Sequence, residues 1–165
     1  VKDLVGVGFL LMIAAFIIFF IPAVGGWFLE HDNFTEANRL VTPEHIKPVW
    51  YYTPYYAMLR VIPDKLGGVI VMGGAIVILF FVPWLDRAKV KSYRYRGLLS
   101  KLLLGVFAIS FVWLGKIGAG SGTDPVETII GRVLTFYYFA FFITMPYWSR
   151  KGSFKTVPER LTMHD

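Results

Sequence analysis

Four apolar runs, each about as long as a bilayer is thick, limit what this chain can fold into. The first, Leu4 to Ile21 (LVGVGFLLMIAAFIIFFI), holds 18 residues and is ended by Pro22. As a helix it reaches ~27 Å, close to the hydrocarbon thickness of a membrane. The second runs from Leu66 to Leu85 and is opened by Gly67 and Gly68. The third runs from Gly97 to Gly115, and the fourth from Val126 to Trp148 with Pro146 near its end. No run carries an ionisable residue in its middle. Lys101 and Arg132 lie near run ends and are long enough to snorkel towards headgroups. Only 17% of the chain is charged, against about 25% in a soluble domain. Trp and Tyr gather near the run ends, as membrane interfaces favour. The expectation is an all-α membrane protein with four transmembrane helices, spanning about 4–21, 66–85, 97–115 and 126–148.

The net charge of +6 reads as a topology signal, because the basic residues flank the apolar runs. No basic patch with interleaved stacking aromatics points to nucleic acid. Four spans put both termini on one side. That side, with the loop Asp86 to Arg96 (DRAKVKSYRYR), holds eleven of the 17 Lys and Arg residues; the other side holds six over a longer loop. The termini are therefore expected in the cytoplasm and the loop 22–65 in the periplasm. The absence of cysteine excludes disulfides, thiolate metal sites and thiol nucleophiles. No small-residue cleavage site follows the first run, so a signal peptide is a poor reading. The opening Val1 is expected to mark a cut inside a longer chain.

The loop 22–65 is long for a connection between two membrane helices, and such loops are functional or disordered. Its second half, Pro48 to Ile62 (PVWYYTPYYAMLRVI), is rich in Tyr, Trp and aliphatics. It is expected to fold back on the membrane surface as a short amphipathic helix. Pro48 suits the helix start, with Thr53 and Pro54 disturbing its first turns and Pro63 ending it. Arg60 is expected to face the membrane interface or to pair with a local carboxylate. Gly118 to Gly122 (GAGSG) reads as a flexible loop; with no strand before it and no Lys-Ser/Thr after it, a phosphate cradle is a poor reading.

Thr42 to Arg60 (TPEHIKPVWYYTPYYAMLR) resembles the long loop of the cytochrome b family. The family's Pro-Glu-Trp-Tyr hallmark stands here as Pro48-Val49-Trp50-Tyr51. Ile62-Pro63-Asp64-Lys65-Leu66-Gly67-Gly68-Val69 looks like the family's Ile-Pro-Asn-Lys-Leu-Gly-Gly-Val entry into the next helix. Lys2-Asp3 matches its Lys-Asp at the start of the fifth transmembrane helix. The resemblance covers essentially the whole chain and is to helices five to eight of that eight-helix family. It implies part of a ubiquinol:cytochrome c oxidoreductase, not active as this chain alone. Electron transfer there is bifurcated: one quinol electron passes to an iron–sulfur protein and on to cytochrome c. The other crosses the membrane through two b haems to a quinone on the inner side, and the reaction is coupled to proton translocation. The implied ligand is a quinone, ubiquinone in the first instance, with the two haems on the N-terminal half. No His lies within a span, since His31 and His45 fall in the loop and His164 in the tail. The chain by itself therefore cannot hold a bis-histidine haem in the membrane, and no metal ligand is assigned to it. Implied partners are the haem-binding N-terminal half, a Rieske iron–sulfur protein, a cytochrome c-type subunit, a second copy of the complex and membrane lipid. The implied location is a bacterial inner membrane.

The resemblance also implies site residues. Ile46, Pro48, Val49, Tyr51, Tyr52 and Tyr56 would line one wall of the quinol-oxidation site, where a quinol head needs a flat apolar slot and a few hydrogen-bonding groups. Read from periodicity alone, these aromatics merely anchor the loop at the interface. Val49 departs from the family's Glu and cannot accept a proton. Glu44, the nearest upstream carboxylate, either takes that role or is a solvated surface group. Lys2 and Asp3 would lie in the quinone-reduction site, where a carboxylate can hydrogen-bond and protonate a quinone carbonyl. Without the resemblance they are a plain helix start with the acid favoured by the helix dipole. Lys65 aligns with the docking surface of the mobile iron–sulfur protein. Two other readings remain. A naturally split chain like subunit four of the plastoquinol:plastocyanin oxidoreductase normally has three spans. A small membrane scaffold or transporter with no redox role tends to carry ionisable residues or broken helices at mid-membrane.

Overall fold

A segment in hydrocarbon must satisfy its backbone internally, so long apolar runs become helices. The computed structural model describes residues 2–29, 31–36, 38–41, 46–90 and 92–156, with α-helices α1 (Lys2–Phe20), α2 (Thr53–Val61), α3 (Lys65–Phe80), α4 (Val82–Leu85), α5 (Leu98–Ala119) and α6 (Pro125–Lys151). Among the described residues there is no strand, only an isolated antiparallel bridge between Arg96 and Phe154. Among the described residues three helices are long and apolar enough to cross a membrane: Asp3–Phe20, Leu98–Ala119 and Pro125–Lys151. The chain divides into two units, Val1–Tyr51 and Tyr52–Asp165.

The first unit holds α1, which is apolar all round, as befits a helix solvated by lipid. None of its spanning window is buried. After Phe20 the chain turns through Gly25 and Gly26, both at positive φ (61° and 89°). A 3-10 turn follows at His31–Phe34. The Asn38 side chain then accepts a hydrogen bond from Leu40 N at 3.0 Å.

The second unit is built around α2. Thr53, Pro54, Ala57, Met58 and Val61 form its buried face, the i, i+4, i+8 stripe of an amphipathic helix. This face meets α3, α5 and α6, and a glycine at each contact lets backbones approach. A Cβ on Gly118 of α5 would overlap the Thr53 carbonyl; one on Gly68 of α3 would lie 2.5 Å from Leu59 O; one on Gly131 of α6 would lie 2.5 Å from Val61 Cγ1. Beneath α2 an aromatic core joins α5 to α6, with Phe107 stacked on Phe141 at 4.4 Å between ring centroids. Burying a hydroxyl in apolar surroundings requires a partner; Tyr138 donates to Ala75 O at 2.8 Å and so ties α6 to α3.

Helix boundaries differ from the sequence reading most clearly at the second run, the third run and the surface helix. The second span is not one helix. Pro83 has no N–H and its ring crowds the carbonyl of residue i−4, so the helix stops at Phe81 and resumes as α4. The third runs four residues further than expected, to Ala119, so part of the GAGSG run is helical rather than loop. The surface helix begins at Thr53, not near Pro48, and Pro54 occupies its first turn. There its missing N–H leaves no helical acceptor unmet.

At the end of the second unit away from α2, Arg96 is buried and donates to Asp86 through Nη1 and Nη2, at 3.1 and 2.6 Å. It also donates to Val90 O at 3.1 Å and lies 4.3 Å from the Tyr93 ring centroid. Burial raises the Tyr93 phenol above its ordinary range against the opposing pull of Arg96, so the cation faces a neutral ring. The tail closes over this loop through Lys155 N to Tyr95 O at 2.8 Å.

Gly118→Ala is expected to destabilise the assembled protein by about 2–3 kcal/mol, because the backbone of α2 must move. Gly105, whose added Cβ meets nothing within 4 Å, is expected to tolerate alanine; thermal denaturation in detergent ranks the two. Asp86→Ala leaves Arg96 buried without its carboxylate and is expected to cost about 3 kcal/mol in the same assay.

Candidate functional site

The residues singled out in the sequence fall in both units. Ile46, Pro48, Val49 and Tyr51 belong to a non-helical stretch that closes the first unit. Ile46 and Tyr51 are exposed, while Pro48 and Val49 are half-buried. Trp50 and Tyr51 meet edge to face at 5.6 Å. Tyr52 and Tyr56 belong to the second unit. Tyr52 is the N-cap of α2, its carbonyl accepting from Tyr56 N at 3.0 Å. Tyr56 is half-buried with the Arg60 guanidinium 5.5 Å from its ring centroid.

Asp3 is exposed in the first turn of α1, where the positive end of the helix dipole favours a carboxylate. Lys2 opens the same helix. Lys65 is exposed at the first position of α3. Glu44 lies outside the described residues.

The cations at the α2 end do work that the sequence did not reveal. Among the described residues Arg60 pairs with no carboxylate; its Nη1 donates to Gly120 O at 2.8 Å and its Nη2 to Ile117 O. These carbonyls close α5, where intrahelical donors run out. Arg132 donates through Nε to Val61 O at 2.8 Å, capping α2. Carboxylates cap the opposite kind of helix end. Asp64 accepts from Gly67 N at 2.5 Å and opens α3; Asp124 accepts from Val126 N at 2.8 Å and opens α6. The two acids were legible as N-cap signals, in Asp124-Pro125 above all. The arginines were not, because their acceptors are backbone atoms 57 to 71 residues away.

The arrangement is chemically a fixed aromatic shelf. Tyr52 and Tyr56 stand on a helix whose far face is locked against three others. Such an aromatic surface can pack against a flat ring. A separate apolar hollow of about 320 Å³ lies along α5, bounded by Ala108, Ile109, Val112, Trp113 and Lys116; none of the expected site residues borders it. Among the described residues no group of three or more His, Asp or Glu could hold a metal. His31 sits in a 3-10 turn.

Comparison with known proteins defines this class of membrane fold further. The family model for cytochrome b(C-terminal)/b6/petD matches residues 36–139. Cytochrome b of Allochromatium vinosum is 49% identical over 166 residues, covering 98% of this chain and 40% of that protein. Cytochrome b of Rhodospirillum rubrum is 46% identical over 145 residues, covering 88% and 35%. A chain of a solved hyperthermophilic respiratory Complex III superposes with a TM-score of 0.68 at 34% identity, over 88% of this chain and 35% of that one. The chain belongs to the cytochrome b C-terminal family. It is an integral membrane protein, and it spans well under half the length of the relatives it matches.

Proposed function

We propose that this chain is part of the cytochrome b subunit of a quinol:cytochrome c oxidoreductase and supplies walls to its quinol-oxidation and quinone-reduction sites. Family membership supports the reading. The observation that carries it is the aromatic shelf, Tyr52 and Tyr56 on a helix held against the ends of α3, α5 and α6. A quinol head resting on Ile46, Pro48, Val49, Tyr51, Tyr52 and Tyr56 is held flat by apolar contact and oriented by phenolic hydroxyls.

Oxidation of a quinol releases two protons, so the site needs an acceptor leading to water. Val49 supplies none. Glu44 is four residues before Pro48 on the same stretch and is the carboxylate we assign to the task. At the other site Asp3 hydrogen-bonds the quinone carbonyl and delivers a proton to it, while Lys2 compensates charge. Ubiquinone is the proposed substrate. The redox centres are assigned to partners: two b haems to a haem-binding N-terminal half, the others to a Rieske iron–sulfur protein docking near Lys65 and a cytochrome c-type subunit, within a dimeric complex.

The proposed setting is a bacterial inner membrane, with the termini cytoplasmic and the loop 22–65 periplasmic. Charge placement supports this orientation. Arg87, Lys89, Arg94, Arg150, Lys151 and Lys155 are exposed at the end remote from α2, whereas the exposed cations at the α2 end are Lys65, Lys116 and Arg132.

In the isolated complex, Glu44→Gln is expected to lower quinol oxidation about a hundredfold. A carboxylate base works only when ionised, so the wild-type rate falls as pH drops, and the variant loses that dependence. An unchanged rate and pH profile would remove Glu44 from the mechanism. Asp3→Asn is expected to slow quinone reduction roughly tenfold or more while quinol oxidation persists; full retained reduction would reject the role.

A further inference from the structure

We propose that Arg60 is a positioning residue for Tyr56, anchoring on the carbonyl end of α5 and holding the Tyr56 ring in the wall of the quinol-oxidation site. The inference rests on the reading of that wall given above.

Arg60 lies one helical turn after Tyr56 in α2, so the two side chains share a face. Its Nη1 donates to Gly120 O at 2.8 Å and its Nη2 to Ile117 O. These acceptors close α5, where the partial negative charge of a helix collects. Hydrogen bonds from two different nitrogens fix the plane of the guanidinium as well as its position. Gly122 completes the seat. It adopts a left-handed φ of 73°, and a Cβ there would lie 2.5 Å from Arg60 Cζ and 2.6 Å from Nε. This glycine both turns the chain and leaves the room the guanidinium fills. Held on these sides, the cation lies 5.5 Å from the Tyr56 ring centroid, within cation–π reach.

A cap alone would need only a donor near the carbonyls. The fork does more: it couples the Tyr56 ring to a second helix. A lysine in its place supplies a point charge on a flexible stem and cannot hold a plane. The shelf then keeps its chemistry and loses its fixed geometry.

The test uses the complete oxidoreductase carrying Arg60→Lys, Tyr56→Leu or both, with assembly read from the b-haem spectrum. Arg60→Lys is expected to raise the KM for quinol roughly three- to tenfold with a smaller change in kcat. Tyr56→Leu is expected to raise KM at least as much. The double variant is expected to match Tyr56→Leu within about twofold, because residues acting as one unit are not additive. Two effects that multiply would overturn the inference, since Arg60 would then act elsewhere than on the ring. A harmless Arg60→Lys beside an impaired Tyr56→Leu would overturn it alone. A fully active Tyr56→Leu would overturn the quinol-site reading with it. If Arg60→Lys does not assemble, Gly122→Ala carries the same test by crowding the guanidinium without removing its charge. A raised KM that vanishes in the Tyr56→Leu background is then expected, and an unchanged KM contradicts the inference.

Discussion

Contact of α2 with three glycines, Gly68, Gly118 and Gly131, determines where every other feature of the second unit can lie. Each glycine removes a side chain that would otherwise hold the backbone of α2 away. In lipid the gain from burying apolar groups between helices is small, and close van der Waals packing at small residues takes its place. Because the approach is made to backbone and to a β-branched side chain, it offers few ways to slide. The face of α2 carrying Tyr52 and Tyr56 is therefore set by the glycines on the opposite side.

Close packing brings helix ends together, and the ends must then be satisfied. The second unit does this with charge matched to the dipole. Asp64 and Asp124 meet amide groups at helix starts, and Arg60 and Arg132 meet carbonyls at helix ends. Among the described residues no buried side-chain nitrogen or oxygen lacks a partner. The far end follows a different rule. There one arginine, Arg96, is buried against Asp86 and organises a loop, while the other described cations of that end remain exposed.

The apolar helices were legible because lipid allows few alternatives: a long apolar run without an internal charge has to be a helix. Their ends were less so. Pro83 interrupts the second span because of its ring, a local effect that hydropathy does not register. In the sequence Pro48 reads as the helix start and Pro54 as a disturbance; the fit of Thr53 and Pro54 under Gly115 and Gly118 decides for the later start. The candidate site was legible only as residue types matching a family motif. Arg60 and Arg132 carry no mark of their partners, since any carbonyl looks alike in a sequence. Glycines 118 and 122 read as loop because their value lies in what they leave out.

The functional account depends on a quinol ring resting on the stretch from Ile46 to Tyr56. Photolabelling of the membrane-bound complex with an azido-quinone, followed by peptide mapping, addresses this directly. Label incorporated between Ile46 and Tyr56, and suppressed by excess natural quinol, is the predicted result. Label confined to other peptides, with this stretch unmarked at saturating probe, would contradict the account.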